Sequence, residues 1–188
     1  ITAQEWFHIA VVYDGTGVTD ADKVKLYINN NPITLSFSAN PIPTSLPATQ
    51  SDFYIGSSAT YTATQGWNGE INNTAVWDSA LNEDQILTIY NNGRPGDLTS
   101  LSPVSWWKLG NDAFATAASP TAWTIPDQIG SNDGTSAGNP TISGDAPGST
   151  ANGLSVSMNI ADRIGESGQS SNNAQSYNMA TGARIAYT

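Results

Sequence analysis

The chain contains no cysteine, few charged residues and a single histidine. Without cysteine, neither disulfides nor thiolate metal sites can form, which excludes the small secreted scaffolds that depend on them. Charged residues are 12% of the 188 residues, about half the usual share. No apolar run approaches the roughly 20 residues that cross a bilayer, so we expect no membrane insertion.

Basic residues are especially scarce. Six Lys and Arg stand against sixteen Asp and Glu, which gives a net charge of −10. Six cations cannot neutralise a phosphate track, so nucleic acid is excluded as a partner, whereas cation binding is permitted. The chain also lacks an initiator methionine and starts almost directly on a predicted strand, which indicates a fragment or a processed product.

What the chain does contain is a succession of strand and turn patterns. Residues 5–14 are apolar on both faces and predict a central strand, while residues 23–28 alternate and predict a half-buried one. Asn29-Asn30-Asn31 supplies a turn between that strand and a third one containing Ile33, Leu35 and Phe37. Residues 66–77 predict one longer strand. The patterns together favour an antiparallel β-sandwich.

One short helix interrupts the strands. Asn82 is its predicted N-cap, and Gln85 stands at the third helical position, as in a capping box. Leu81 is placed to pack on Ile86, and Gly93 before Arg94-Pro95 is expected to end the helix.

The composition shifts after Gly93 towards Gly, Ser, Asn, Ala and Pro. Residues 104–109 predict an aromatic strand. Most residues beyond Ser119 are of types that favour turns. Ser155-Val156-Ser157-Met158 returns as Ser176-Tyr177-Asn178-Met179, and Arg163-Ile164 returns as Arg184-Ile185. A repeat of ~21 residues predicts either a stacked unit or an extended arm ordered by a partner.

Several segments of residues 5–93 resemble a known family. WFHIAVVYDG, VKLYINN, FYIG, WNGEINNTAVW and SALNEDQILTIYNNG are similar to the second half of a laminin G-like, concanavalin A-like lectin/glucanase domain. The resemblance implies a jelly-roll sandwich over residues 1–93, without the family's opening strands. It also implies an acidic pair where this chain has Asn72 and Asn73. Residues 94–188 form the predicted tail, which resembles segments of structural proteins from marine phages.

Catalysis is not expected. Glucanases of this fold use paired carboxylates, but Glu70 is the only acid inside a well-predicted strand. His8 lies in an apolar strand, where a satisfied structural histidine is the expected role rather than a general base.

Carbohydrate binding is what the resemblance implies for such a domain, because sugar rings stack on exposed aromatic faces. Trp6 and Trp77 are predicted core residues. The candidate platforms are Tyr61, Trp67, Trp106, Trp107 and Trp123.

Calcium is the one cofactor that the sequence suggests, because it prefers oxygen ligands on turns. Two groups of residues offer such ligands, and neither has the spacing of an EF-hand. The first group is Asp127, Asn132 and Asp133, and the second is Asp14, Asp20 and Asp22.

Two hypotheses for function follow. The first is a non-enzymatic structural or adhesive protein at a virion surface, a capsid decoration or tail-fibre component, whose tail docks on copies of itself or on other virion subunits. It predicts that Trp106 and Trp107 are buried only in the assembly, and that residues 94–188 lack a compact core of their own. The alternative is a glycan-binding module of a secreted bacterial surface protein or glycoside hydrolase. In both, a cell-surface glycan is the expected ligand.

Overall fold

The structure is a computed structural model. It describes residues 5–46, 53–57, 66–110, 114–118, 121–138, 140–148, 155–158, 163–166 and 181–185.

Antiparallel strands dominate the described residues, and two short α-helices and two 3-10 turns join them. The helices are α1 (Asp20–Lys23) and α2 (Glu83–Tyr90), and the 3-10 turns are Asn91–Gly93 and Thr99–Leu101. The strands are β1 (Trp6–Tyr13), β2 (Val24–Ile28), β3 (Asn31–Ile33), β4 (Tyr54–Ile55), β5 (Gly69–Asn72), β6 (Thr74–Val76), β7 (Ser105–Trp107), β8 (Phe114–Ala118), β9 (Thr121–Ile125), β10 (Gly134–Ala137), β11 (Thr141–Ser143), β12 (Ser155–Met158), β13 (Arg163–Glu166) and β14 (Thr181–Ile185).

The strands form two large sheets and a two-stranded ribbon. The seven-stranded sheet has the order β11-β12-β5-β14-β1-β2-β3, the five-stranded sheet has the order β4-β13-β10-β9-β8, and the ribbon is β6-β7. Strands from both sides of residue 93 therefore pair with each other, whichever way the chain is divided into domains. The predicted antiparallel sandwich with a short helix is the architecture found, although turn-rich residues after Ser119 also form strands β9 and β10.

Strand β1 is central, as its two apolar faces predict. It pairs with β2 on one side and with β14 on the other. Asn29 and Asn30 have φ of 50° and 63° in the tight turn from β2 to β3, a conformation that asparagine tolerates better than most residues. The third strand is shorter than predicted and ends at Ile33.

The ribbon lies between two apolar clusters. Ala75 and Trp106 belong to a cluster with β1, β2 and α2, whereas Val76 and Trp107 belong to a cluster with Ile55 and other residues of the large sheets. Successive residues of a strand point to opposite faces, so the ribbon is buried on both. The predicted single strand over residues 66–77 is wrong in one respect, because Asn73 (φ 50°) breaks it into β5 and β6.

Helix α2 begins as the sequence predicts. The Asn82 side chain accepts from Gln85 N–H and the Gln85 side chain accepts from Asn82 N–H, each at 2.9 Å. Ile86 and Ile89 are buried with Leu81 in the first apolar cluster. The helix ends earlier than predicted, at the left-handed Asn91 (φ 42°) rather than at Gly93.

Replacing Asn82 by Ala should lower the free energy of unfolding by about 1 kcal/mol, because the Gln85 N–H of the first turn loses its acceptor. Chemical denaturation measures this loss. Asn82→Asp is the matched control, since its carboxylate still accepts from Gln85 N–H. An Ala variant as stable as the Asp variant would contradict the role of the cap.

The repeat predicted in the second half stays a prediction. Arg163-Ile164 lies in β13 and Arg184-Ile185 lies in β14, strands that belong to different sheets. The second copy at residues 176–179 lies outside the described residues.

Candidate functional site

Two of the predicted sugar platforms lie inside the protein. Trp106 and Trp107 are 4% and 3% exposed, and their indole N–H groups donate to Asn73 Oδ1 and to the Asn132 carbonyl oxygen. Because both rings are enclosed by this chain itself, they offer no face to a sugar. The expectation that they are buried only in an assembly is also wrong.

Two further predicted platforms keep part of their surface exposed. Trp67 and Trp123 are half-buried and pack against the second apolar cluster. Trp67 meets Phe7 edge to face, with ring centroids 6.4 Å apart, and the Trp123 indole donates to the Pro140 carbonyl oxygen. Tyr61 lies outside the described residues.

The first predicted calcium group is a set of structural hydrogen bonds. Asp127 is 8% exposed, and its Oδ1 accepts from Trp106 N–H at 2.9 Å and from Ile129 N–H at 3.1 Å. Its Oδ2 accepts from Asn132 N–H at 3.4 Å, and Asp133 Oδ1 accepts from Asp127 N–H. These carboxylates bind backbone amides of the turn, and calcium binding by this group stays a prediction.

The carboxylates of the second predicted calcium group also accept hydrogen bonds from the protein. Asp14 accepts from the Thr16 hydroxyl and N–H, and Asp22 accepts from the Thr19 hydroxyl and N–H at the start of α1. These hydrogen bonds lower the pKa of both carboxyls below the usual value, and the bond from the threonine hydroxyl has the largest effect. Asp20 accepts from Ile42 N–H. Among the described residues no three His, Cys, Asp or Glu side chains are grouped as a metal site.

A cavity of about 290 Å³ lies elsewhere, beside the first half of β1. This cavity, called here the β1 cavity, is walled by β1, by the end of α2 with the 3-10 turn after it, and by residues of the connecting segments: Asn29, Asn73, Pro95, Gly96, Leu98, Pro147 and Gly148. The volume is at the small end of the range for small-ligand sites. Its lining includes the aromatic residues Trp6 and Tyr90, the histidine His8, and the amide residues Asn29 and Asn92.

His8 is the unusual member of this lining. It is 8% exposed, and neither Nδ1 nor Nε2 has a hydrogen-bond partner among the described residues. Its ring lies 5.9 Å from the Tyr90 ring, centroid to centroid. The predicted burial is confirmed, but the prediction of a satisfied histidine is wrong. Buried polar atoms without partners are rare because each costs about 1–3 kcal/mol, and the surface of these two nitrogens is almost fully covered by the protein.

Aromatic and amide groups complete the cavity. Trp6 is half-buried rather than a core residue, and its indole N–H donates to Asp145 Oδ1 at 2.9 Å, which fixes the ring. Asn29 Oδ1 accepts from His8 N–H at 2.8 Å. Asn92 is exposed at the rim, with φ of 53°. The sequence analysis missed this site because the residues that line it, from Trp6 to Gly148, are widely separated in the sequence.

The burial of His8 predicts a pH dependence of stability. Desolvation lowers the pKa of His8 from 6.5 to about 4. The unfolded chain therefore takes up a proton near pH 6.5, whereas the folded chain does so only near pH 4. We expect the free energy of unfolding to be constant above pH 6.5 and to fall by about 3 kcal/mol as the pH drops to 4.

Urea denaturation at intervals between pH 4 and pH 8 measures this slope. His8→Phe should flatten it, because the variant has no imidazole to protonate. Asp14, Asp22 and Asp97 have pKa values lowered from 3.8. The stability that these carboxylates contribute is therefore lost as the pH falls below the usual pKa of aspartate, and the loss that begins near pH 6.5 is assigned to His8. An unchanged slope in the variant would contradict the assignment.

No described helix has the length and apolar character needed to cross a membrane. No curated protein and no solved structure matches the chain. A family model does match, and it covers residues 1–87, which include β1, β2, the ribbon strand β6 and the start of α2. Over these residues the chain is therefore similar to the concanavalin A-like lectin/glucanases superfamily, with whose sandwich fold the observed architecture agrees.

Proposed function

We propose that this protein binds a carbohydrate without transforming it, and that the β1 cavity is the binding site. One observation carries the proposal: a cavity of about 290 Å³ is lined by two aromatic residues, Trp6 and Tyr90, together with the amide residues Asn29, Asn73 and Asn92. Sugar rings use aromatic surface for stacking and polar side chains for their hydroxyls, and this cavity offers both. The superfamily match supports the proposal, because its description names lectins.

The geometry offers less to catalysis. The residues that line the β1 cavity, all within the described part of the chain, include no carboxylate, and a glycosidase of the usual type needs two. Glu70 lies in β5 and accepts from the Ser143 hydroxyl at 2.6 Å. Hydrolysis would need two carboxylates at the cavity, which its described lining does not supply. Binding needs aromatic and polar side chains, which it does supply.

An assembly role in a virion stays a prediction. It assigns residues 94–188 to docking on other subunits. Those residues instead supply strands β7 to β14, several of which pair with β1, β4, β5 and β6. Glycan binding consequently becomes the first hypothesis, whether the protein stands on a virion or is secreted.

Binding of a soluble saccharide panel, measured by calorimetry on the full chain, tests the proposal. We expect one or more saccharides to bind saturably, and Tyr90→Ala to weaken that binding about tenfold or more, the loss of about 1.4 kcal/mol that one stacked ring can supply. Tyr13→Ala is the matched control, because Tyr13 is half-buried at the other end of β1. The proposal fails if no saccharide binds, or if the Tyr90 variant binds as the wild type does.

A further inference from the structure

The β1 cavity has a neighbouring cavity at the start of β1. This second cavity has a volume of about 390 Å³ and is called here the β3 groove, because strand β3 forms part of its lining together with Glu5. Trp6, Phe7 and Asn29 line both the β3 groove and the β1 cavity. Because these three residues are common to both linings, the two cavities lie side by side.

A third cavity adjoins the β1 cavity through different residues. It has a volume of about 460 Å³ and is called here the Lys108 groove, after the lysine in its described lining. Asn73, Pro95 and Gly96 line both this groove and the β1 cavity. The described linings of the Lys108 groove and the β3 groove have no residue in common. The three cavities therefore follow one another, with the β1 cavity in the middle.

Small or half-buried residues form the two junctions. Among the described residues, a Cβ placed on Gly96 would have one atom within 4 Å beyond its chain neighbours, Asn91 Nδ2 at 3.6 Å, so this junction contains open space. At the other junction Trp6 is half-buried, and its indole N–H donates to Asp145 Oδ1 at 2.9 Å. The fixed ring leaves surface that a ligand can contact.

Polar groups suited to hydroxyls lie in both outer grooves. Lys108 is half-buried, and its Nζ lies 5.1 Å from the centroid of the Trp106 ring, which limits the positions of this donor. Asp97 in the same groove accepts from Thr99 N–H at 2.9 Å, and Glu5 is exposed in the β3 groove. A hydroxyl can donate to a carboxylate or accept from an ammonium group, and such charge-assisted hydrogen bonds are stronger than neutral ones.

We infer that the three cavities form one binding track for a saccharide chain of at least three units, with one unit in the β1 cavity and its neighbours in the two grooves. Each volume lies in the lower part of the range of about 300–1,000 Å³ for drug-sized ligands, so one cavity alone suits only a small ligand. This inference rests on the proposed function and makes it more specific: the ligand is a glycan chain, not a single sugar.

Ligands of increasing length test the track. We would titrate the full chain by calorimetry at pH 7 with cello-, malto-, xylo- and chito-oligosaccharides of one to six units. In at least one series we expect Kd to fall tenfold or more between one and three units, because each filled groove adds contacts while the translational freedom of the ligand is lost only once. If the single unit binds as tightly as the trimer in every series that binds, the inference is overturned.

Matched variants test each outer groove. Lys108→Met keeps the unbranched stem over the Trp106 ring and removes the ammonium group, so it should weaken trimer binding threefold or more and leave the single unit unchanged. Glu5→Ala should do the same at the other end. Lys25→Met is the control for the lost positive charge, because Lys25 is exposed on β2 and lines neither groove.

Wild-type affinity for the trimer in both groove variants overturns the inference. If Lys108→Met does not fold, Asp97→Asn takes its place with the same two outcomes, because Asp97 is exposed and asparagine keeps an acceptor for Thr99 N–H.

The two levels of proposal fail in different ways. If no saccharide binds the wild type, the proposed function fails and the inference fails with it. If saccharides bind and Tyr90→Ala weakens every length, while chain length and the groove variants have no effect, only the inference fails.

Discussion

Asp127→Ala is expected to lower the free energy of unfolding by about 3–5 kcal/mol. Three backbone N–H groups, those of Trp106, Ile129 and Asn132, bond to this one carboxylate. Each N–H left buried without an acceptor costs about 1–3 kcal/mol, and the partial exposure of this turn keeps the sum at the lower end. Trp106 lies in strand β7, so the loss of its acceptor also weakens the ribbon. Urea denaturation followed by tryptophan fluorescence measures it.

Two variants control for this effect. Asp127→Asn keeps an oxygen for Trp106 and Ile129 but faces Asn132 N–H with an amide, so the loss should be about 1–2 kcal/mol. Asp78→Ala, at an exposed position, should change stability by less than about 0.5 kcal/mol. Addition of millimolar calcium should leave the melting temperature of the wild type unchanged. A clear rise with calcium, absent in Asp127→Ala, would show that the carboxylate is a metal ligand after all.

Trp77→Ala should cost about 3–5 kcal/mol, through loss of the largest fully buried side chain in the first cluster. Trp77 is 1% exposed and packs with α2, and its indole N–H donates to the Leu101 carbonyl oxygen at 2.9 Å. The void left between the ribbon and the helix cannot close without moving both. Thermal and urea unfolding of the variant provide the measurement.

Trp77→Phe separates packing from the hydrogen bond, because it keeps part of the ring and removes the N–H; we expect a loss of about 1–2 kcal/mol. Leu87→Ala on the same helix is the surface control, because Leu87 is 50% exposed. A loss at Leu87 as large as that at Trp77 would mean that the helix packs on another face.

The predictions that succeeded rest on local signals. The capping box of α2 needs only Asn82 and Gln85, three residues apart, and the asparagine turn after β2 needs only its own residues. Asn29, Asn30 and Asn91 all adopt left-handed conformations, which composition alone makes plausible.

The predictions that failed depend on distant partners. Residues 66–77 have one continuous strand pattern, but the ribbon forms because β7 is available to pair with β6, and β7 lies beyond the helix. Trp6 and Trp106 each precede another aromatic residue in a strand, yet Trp6 is half-buried and Trp106 is buried. The walls of the β1 cavity come from five separated segments, which no local pattern in the sequence indicates.

The position of β14 has a consequence for how the protein folds during synthesis. Residues 181–185 pair with β1 on one side and with β5 on the other, so the middle of the seven-stranded sheet stays open until they are made. At about 5–20 residues per second, β1 would wait many seconds for its partner. Pairing over so long a sequence separation also slows folding. The nascent chain therefore exposes two unpaired strand edges for a long interval, and we expect chaperones that cover such edges to raise the yield of folded protein.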